Sequence, residues 1–351
     1  MAENISAKER ARLFNNATRE NVHMMAKKTV TEALANVEFT FPKARLLSKV
    51  YMMVDAKIKV TGAEGAVADL PELLPYRILK RVGINLNNGF LPYNIDGEKL
   101  AMLNMIQMHP QMVMPSEKGT NCTFSGLTAG ASGVSNDFSF CLEVPLTLNE
   151  SVNTGLVLLQ NSETMVQLTA DIASPSDILV KDGYTVEIEK VEITPALVTF
   201  TIPSISQAFP SLNILKLVSA RTQTFAGSGE NIIKLNVGTI YRKLVLYLTD
   251  ENGNPLSDED INGNIEIKFN TADTPYSINP RMLRYINSCH LGMVMPKGMY
   301  IFDFSTQGQI ANCGGSRDLI DTERVQEFTV SFPSEKAGKI TVISENLTQL
   351  K

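Results

Sequence analysis

The sequence predicts an all-β protein of two antiparallel sandwiches, each of about eight strands, preceded by an N-terminal amphipathic helix. Three observations predict this fold class. Apolar and polar residues alternate in many short runs after residue 36. Asn, Asp and Gly residues that favour turns separate those runs. Helical periodicity is concentrated in the first 35 of the 351 residues, and the whole length suits about two domains.

Residues 1–35 are predicted to form a helical arm, with a helix over residues 5–34. One apolar stripe recurs there at helical spacing, and it consists of Val22, Met25, Ala26, Thr29, Val30, Ala33 and Leu34. Six bases, Lys8, Arg10, Arg12, Arg19, Lys27 and Lys28, and four acids give this segment a net charge of +2, whereas the whole chain carries −5. Two interpretations stay open: a helix packed on the protein, or one that also meets a membrane or a neighbouring subunit. We expect deletion of residues 1–34 to leave the β body folded.

The strands are predicted from alternation with a period of two. The clearest runs are Phe138–Leu146, Ile233–Val237, Leu244–Leu248, Ile265–Phe269, Tyr300–Phe304 and Phe328–Phe332. The alternation changes phase once between Ile188 and Val191, which predicts a β-bulge or short turn around Lys190. Turns are predicted at Asn87–Gly89, Asp182–Gly183, Glu251–Pro255 and Asn262–Gly263. Short helices are predicted at Leu70–Leu79 and Gly97–Gln107.

Two β domains follow the arm in this interpretation. Pro203, Pro210 and the turn at Gly227–Gly229 interrupt the alternation, so we place the boundary between about residues 203 and 231. The domains predicted are residues 36–205 and residues 206–351, the latter including a linker. Residues of the two halves show no clear repeat, so a duplicated architecture is inferred from pattern alone.

Composition excludes several functional classes. Apolar residues make up 44% of the chain and charged residues 20%, so the chain is not disordered. The net charge argues against sequence-specific nucleic-acid binding. The chain has 3 His and no Trp, so His-based metal sites and aromatic stacking platforms are not expected. The Met cluster Met102, Met105, Met108, Met112 and Met114 is interpreted as a core or interface face.

The sequence contains no catalytic constellation that we can identify, and we predict a protein that is not an enzyme and needs no cofactor. Cys289 and His290 are adjacent, a spacing that on a strand points them to opposite faces. Asp250–Asn254 resembles the start of a calcium loop, but Pro255 and Ile261 occupy positions that require Gly and Glu, so a surface turn is favoured.

The four cysteines, Cys122, Cys141, Cys289 and Cys313, form no C-x-x-C pair and are expected to be free thiols. No secretory signal is apparent at the N-terminus. The longest uncharged stretch, residues 193–215, is interrupted by three prolines and is not predicted to span a membrane. We therefore expect synthesis in a cytoplasm.

The order of these features resembles a known family. An amphipathic N-terminal helix, a β-rich half, a linker and a second β-rich half are followed by the late element Met295–Phe304, which contains Pro-Lys-Gly-Met-Tyr. The segments Leu79–Leu86 and Asn236–Leu248 add to the likeness. In these respects the chain resembles the double jelly-roll major capsid proteins of tectivirus-like, membrane-containing bacteriophages, a lineage that includes the adenovirus hexon.

The resemblance implies two antiparallel eight-stranded jelly rolls side by side and a place in the virion capsid. It implies a homotrimer that forms a pseudo-hexagonal capsomer and tiles an icosahedral shell with neighbouring capsomers, penton and minor capsid proteins. It also implies an internal viral membrane. Lys8, Arg10, Arg12, Arg19, Lys27 and Lys28 would then face the inner surface, where anionic lipid attracts bases.

An alternative stays open at this point. Two jelly rolls also occur in carbohydrate-binding or carbohydrate-active proteins, which would show aromatic residues on a concave sheet face and a pair of carboxylates. A receptor-binding spike is a third possibility, but the fibrous or Gly-repeat stem typical of such a protein is not found.

Overall fold

The structure is a computed structural model that describes residues 6–68, 70–71, 73–87, 89–107, 115–117, 124–148, 153–160, 165–270, 273–305 and 319–349. The chain divides into two compact units. The first comprises Met1–Asn104, Gln111–Lys216 and Gln349–Lys351, and the second comprises Met105–Pro110 and Leu217–Thr348. Met108, Met112, Met114, Cys122 and Cys313 lie outside the described residues.

The first unit contains two main sheets. Its strands are β1 (Glu20–Met24), β2 (Lys28–Val30), β3 (Asn36–Thr40), β4 (Leu46–Thr61), β5 (Gly65–Ala66), β6 (Leu79–Leu86), β7 (Phe90–Ile95), β8 (Ser116–Glu117), β9 (Thr128–Ala129), β10 (Val134–Pro145), β11 (Val157–Leu158), β12 (Val166–Ile172) and β13 (Thr185–Phe200). One sheet has the order β1-β13-β4-β10-β8, and strands β7, β6, β12 and β3 are neighbours in the other. The helices are α1 (Ala7–Ala17), α2 (Gly97–Gln107), whose last three residues belong to the second unit, and α3 (Pro175–Ile178), with 3-10 turns at Leu74–Ile78 and Ser206–Ala208.

The second unit repeats this arrangement. Its strands are β14 (Ile214–Phe225), β15 (Glu230–Lys234), β16 (Ile240–Asp250), β17 (Ile265–Phe269), β18 (Asp273–Ile278), β19 (Met299–Asp303), β20 (Ile320–Asp321), β21 (Phe328–Pro333) and β22 (Gly338–Gln349). One sheet has the order β15-β21-β17-β18, and strands β19, β16, β22 and β14 are neighbours in the other. The helix α4 (Pro280–Leu291) and a 3-10 turn at Asp258–Asp260 complete the unit.

Alternation positions the core of each unit between its two sheets. In β4, every second residue from Val50 to Val60 is buried, and the residues between them are partly or largely exposed. In the second unit, Leu246 of β16 and Ile267 of β17 belong to one apolar cluster that both sheets line. Burial of such side chains contributes about 1.5–3 kcal/mol each relative to exposure, so the two-residue rhythm fixes which face of each strand turns inward.

The predicted N-terminal helix is wrong beyond Ala17. The helix ends because Thr18 is extended, and both its N–H and its Oγ1 hydroxyl donate to the carbonyl of Phe14. The following residues form β1 and β2, which pair with β13. Pairing with β13 satisfies the backbone hydrogen bonds of this segment. The segment is therefore extended, although its apolar residues have helical spacing. That stripe is not a buried face, since Val22 is largely exposed.

Several predicted elements are confirmed. The register of β13 against β4 shifts between Ile188 and Lys190, which is the predicted bulge. The helix α2 has the predicted bounds. Asn87 and Gly89 of the predicted turn lie between β6 and β7, and Asn88 lies outside the described residues. The helix α4 was missed, although Asn279 caps it, Pro280 begins it and Gly292 ends it with φ +67°, a recognisable set of helix boundary signals.

The two units share a short repeat that sequence analysis missed. Each has a hairpin followed directly by a helix, β6-β7-α2 in the first and β17-β18-α4 in the second. The corner between hairpin and helix reads Pro-Tyr-Asn-Ile-Asp at residues 92–96 and Pro-Tyr-Ser-Ile-Asn at residues 275–279. At the same offset, Leu100 corresponds to Leu283 and Asn104 to Asn287.

The aligned asparagines make the same hydrogen bonds. Asn104 donates from Nδ2 to the carbonyl of Glu143 at 2.9 Å and accepts from its N–H at 2.8 Å. Asn287 donates to the carbonyl of Ile301 at 2.9 Å and accepts from its N–H at 2.9 Å. Each buried asparagine therefore holds its helix against a strand that comes later in the chain, β10 for Asn104 and β19 for Asn287. The duplicated architecture extends to individual residues.

Candidate functional surfaces

The helix α1 carries three of the six bases predicted to face an inner surface. Its N-terminus is capped by Ser6, whose Oγ accepts from the N–H of Glu9 at 3.2 Å. Phe14 is fully buried and packs edge-on against Phe200, with 5.4 Å between the ring centroids. Lys8 and Arg12 are exposed and Arg10 is half-buried. The helix is thus anchored on the first unit by one aromatic residue and presents a positively charged exterior.

The other three bases lie on the edge segment formed by β1 and β2. Lys27 and Lys190 both pair with Glu192, at 2.9 Å and 3.1 Å. Hydrogen bonds from Lys27 and Lys190 lower the pKa of the Glu192 carboxyl to about 2. Lys28 donates to the backbone carbonyl of Glu38, and Arg19 is exposed. Lys27 and Lys28 therefore secure the edge strands of the sheet, and the inner-surface role of all six bases stays a prediction.

A buried charged cluster in the second unit was not predicted. Arg242 Nε lies 3.0 Å and Lys243 Nζ 3.7 Å from the same carboxylate oxygen of Glu345, and all three residues are almost completely buried. Gln107 Nε2 donates to the other oxygen of Glu345 at 3.0 Å. Consecutive residues of β16 both reach this carboxylate because the register against β22 shifts between Tyr241 and Lys243. The Arg-Lys pair in the sequence gave no indication of burial.

The residues that sequence analysis examined as possible catalytic or metal-binding groups occupy a helix, a turn and the core. Cys289 and His290 lie on α4, not on a strand as assumed, and both are exposed. Asp250–Asn254 forms the expected turn, in which the Asp250 carboxylate accepts from the backbone N–H and the side chain of Asn254. Met102 and Met105 are fully buried, as expected for a core face.

The described part of the chain contains neither a recognisable metal site nor a helix suited to span a membrane. No group of three or more His, Cys, Asp or Glu residues there has the arrangement of a metal site. Among the same residues, none of the helices combines the length and apolar character needed to cross a bilayer. Cys141 is a free thiol, half-buried on β10, and burial raises its pKa to about 11. Cys289 is also free.

The sequence matches no family model and no curated protein sequence. Solved structures are similar over nearly the whole chain. The MCP of STIV, Sulfolobus Turreted Icosahedral Virus, has a TM-score of 0.67 at 12% identity, with 94% of this chain and 97% of that chain covered. VP54 of PBCV-1 has a TM-score of 0.61 at 10% identity, with 94% of each chain covered.

The major capsid protein P2 of bacteriophage PM2 has a TM-score of 0.54 at 11% identity, with 95% of this chain and 98% of that chain covered. The likeness includes both β units and extends over proteins of very different sequence, so it concerns the architecture. Together with the two antiparallel sheets described in each unit, it confirms the predicted all-β class. The chain has the double jelly-roll fold of these viral capsid proteins.

Proposed function

We propose that this chain is the major capsid protein of a virus. The observation that carries the proposal is the extent of the structural likeness. Both units together cover 97% of the MCP of STIV and 98% of the P2 protein of PM2, with no large part of either left over. A single jelly roll is widespread and supports many functions. A tandem pair that matches end to end with capsid subunits is a much narrower similarity.

The protein acts by assembly and not by catalysis in this proposal. Three copies form a homotrimeric, pseudo-hexagonal capsomer, and capsomers tile an icosahedral shell together with penton and minor capsid proteins. The chain is made in the host cytoplasm and ends in the virion. The surface described for α1, with Phe14 anchored and Lys8 and Arg12 exposed, supports an inner face that meets an internal membrane, because bases near anionic lipid gain about 1 kcal/mol each.

The carbohydrate-binding alternative predicts several aromatic residues around a site. A described cavity in the second unit has one, Phe269, near Asp273 and Asp321. A cavity in the first unit is lined by Asn36, Glu38, Arg81, Asn85, Gly89, Leu91 and Thr169. None of these is aromatic, whereas sugar sites use aromatic faces to stack on the ring.

The test is the oligomeric state of the purified chain. Light scattering coupled to size exclusion is expected to give the mass of three chains, and negative-stain images are expected to show hexagonal outlines. A protein that stays monomeric at the highest concentration reached would contradict the proposal. A glycan array with clear binding and no oligomer would favour the carbohydrate alternative instead.

A further inference from the structure

The helix α4 exposes an apolar face that its counterpart in the first unit buries. Met282 is 55% and Tyr285 67% exposed, and Cys289, one turn further on, is also exposed. The aligned asparagines place Met102 at the position of Tyr285 and Ile106 at that of Cys289. Met102 and Ile106 are both 0% exposed. The chain therefore covers this face in α2 and leaves it open in α4.

For the sheet that contains β4, β10 and β13, it is the first unit that leaves a face exposed and the second unit that buries the corresponding face. Met53 lies in the middle of the central strand β4, opposite Cys141 and Thr194, and is 45% exposed on the face that points away from the core. Tyr51 and Ala196 on the same face are half-buried. Met53 is not isolated, because Tyr51, Cys141 and Ala196 adjoin it on this face, and a contiguous exposed apolar patch marks an interaction site.

The counterpart of this sheet face in the second unit is buried. Glu143 and Ile301, the residues that the two asparagines bind, lie opposite Tyr51 and Val245 respectively, which aligns β4 with β16 and Met53 with Tyr247. Tyr247 is 5% exposed. The residues opposite Tyr247, Met299 of β19 and Thr341 of β22, are also buried, and so is Ile343, which lies opposite Val245.

The two open faces thus form a matching set. The α4 face and the β4 sheet face each have a counterpart in the other unit, on α2 and on β16. Both counterparts are buried in the single chain. Within the second unit, Gln107, the last residue of α2, donates to Glu345 of the covered sheet face. This hydrogen bond joins the last residue of α2 to the covered face.

We propose that the outer face of α4 in one copy docks on the outer face of the β4-β10-β13 sheet in the next copy. The α4 face consists of Met282, Tyr285 and Cys289, and the sheet face consists of Tyr51, Met53, Cys141, Thr194 and Ala196. The occupant of each face is a second copy of this chain. The inference rests on the proposed homotrimer and names the surfaces that hold it together.

Charge supports the pairing. Residues 280–298 contain Arg281, Arg284 and Lys297 and no acid, and of these Arg284 is paired with Asp258 at 2.7 Å. On the sheet face, Asp55 accepts a hydrogen bond from Ser139 and forms no ion pair with any residue that the structure describes. Lys49 and Lys57 lie on the same face of β4, but they are already paired with Glu143 and Glu189. Asp55 can therefore meet the positively charged border of the α4 face, which favours this partner and orientation.

The contact is heterologous, since the two faces are different surfaces of the chain. Such contacts form closed rings when the rotation between copies closes. Every copy then uses both faces, and no apolar face is left at an end. A trimer satisfies this condition, whereas a twofold dimer formed by one self-complementary face does not.

The test uses one substitution on each face, Met53→Glu and Tyr285→Glu. Each places a carboxylate in the contact, and we expect self-association at least about thirtyfold weaker in each, as for central interface residues. Val180→Glu and Ile232→Glu are the matched controls, because their side chains are 68% and 61% exposed and lie outside both faces. These controls are expected to remain trimers by light scattering.

Mixing the two variants gives a sharper result. Met53→Glu retains an intact α4 face and Tyr285→Glu an intact sheet face, so an equimolar mixture is expected to form one-to-one dimers that neither variant forms alone. Trimers of both single variants, or a mixture that stays monomeric, would overturn the inference. If the wild-type chain is itself monomeric, the proposed function fails first and this inference with it.

A thiol measurement guards against a folding defect. Cys289 lies on the proposed contact, so its labelling by a maleimide, followed by peptide mass spectrometry, is expected to be at least about tenfold slower in the wild-type trimer than in the Met53→Glu monomer. Circular dichroism of both is expected to agree, since Met53 is exposed in the single chain. Equal labelling rates in trimer and monomer would exclude α4 from the interface.

Discussion

Asn104 and Asn287 are the residues on which each hairpin-helix corner depends. Each side chain forms hydrogen bonds with both the backbone N–H and the backbone C=O of one residue in a later strand, β10 or β19. Replacement by Ala leaves both groups buried without a partner, so we expect Asn104→Ala and Asn287→Ala each to lose about 2–4 kcal/mol of unfolding free energy. Chemical denaturation measures this. The exposed Asn15→Ala is the control, expected within about 0.5 kcal/mol of wild type, and a loss no larger than the control's would contradict this role of the asparagines.

Glu192 makes the attachment of the edge strands dependent on pH. Its pKa is about 2 in the folded protein, against an ordinary value of 4.5. A carboxyl whose pKa is lower in the folded than in the unfolded state stabilises the folded state. This stabilisation is complete at pH values above the unfolded-state pKa, and it is lost as the pH falls through the folded-state pKa. We therefore expect β1 and β2 to become less protected from hydrogen exchange as pH falls from about 4.5 towards about 2.

Lys27→Met provides the matched comparison for that pH dependence, because it removes the main donor to Glu192. The carboxyl carbon of Glu192, followed by NMR, is expected to titrate at higher pH in this variant than in wild type. An unchanged titration would show that Lys27 does not set the pKa of this carboxyl.

At the scale of elements, α1 separates from the strands that follow it. Since β1 and β2 belong to the sheet, deletion of residues 1–34 is expected to damage the first unit, contrary to the expectation from sequence. A cleaner change keeps Phe14 and removes charge, as in the triple variant Lys8→Gln, Arg10→Gln and Arg12→Gln. At about 1 kcal/mol for each base, binding to phosphatidylserine vesicles is expected to fall by roughly 100-fold.

Vesicle sedimentation measures this change. The control variant replaces Lys80, Lys181 and Lys234 by Gln, which removes the same total charge elsewhere and leaves α1 intact. Equal weakening in both variants would show that net charge, and not the helix, drives any membrane binding.

Element types were predictable where one physical signal dominated. The strands β16, β17, β19 and β21 were predicted from alternation in the sequence, although in the structure β16, β19 and β21 are buried on both faces and only β17 alternates in burial. The segment around Val22 was misassigned because its apolar residues have helical spacing but are not buried. The helix α4 was missed although its capping residues were visible and it is clearly amphipathic.

At the scale of the whole molecule, the duplication explains what sequence could not predict. Strand topology is repeated in full, whereas identity survives only at positions such as Tyr93 and Tyr276 that hold the corner. The candidate surfaces depend on which of two equivalent faces the chain covers. Met102 and Tyr285 both look like core residues in sequence, and only the folded chain distinguishes the buried one from the exposed one.

The two proposed interactions of the molecule respond differently to salt. Raising ionic strength from about 0.1 M to about 1 M shortens the screening length from about 10 Å to about 3 Å. We expect vesicle binding through α1 to be lost over this range, because it depends on exposed charge. Trimer dissociation, measured by light scattering, is expected to change only slightly, because apolar contacts hold the copies together. A trimer that dissociates in high salt would argue for an ionic contact instead.

Pro275, described above as part of the repeated corner, also limits how copies join. It lies on β18, the last strand of its sheet, and proline has no N–H to offer an incoming strand. Chains packed at the density of a shell would otherwise risk zipping together edge to edge without end, as in amyloid fibres. Pro275 therefore disfavours strand pairing at this edge, so we expect side chains and not the backbone to decide where growth stops.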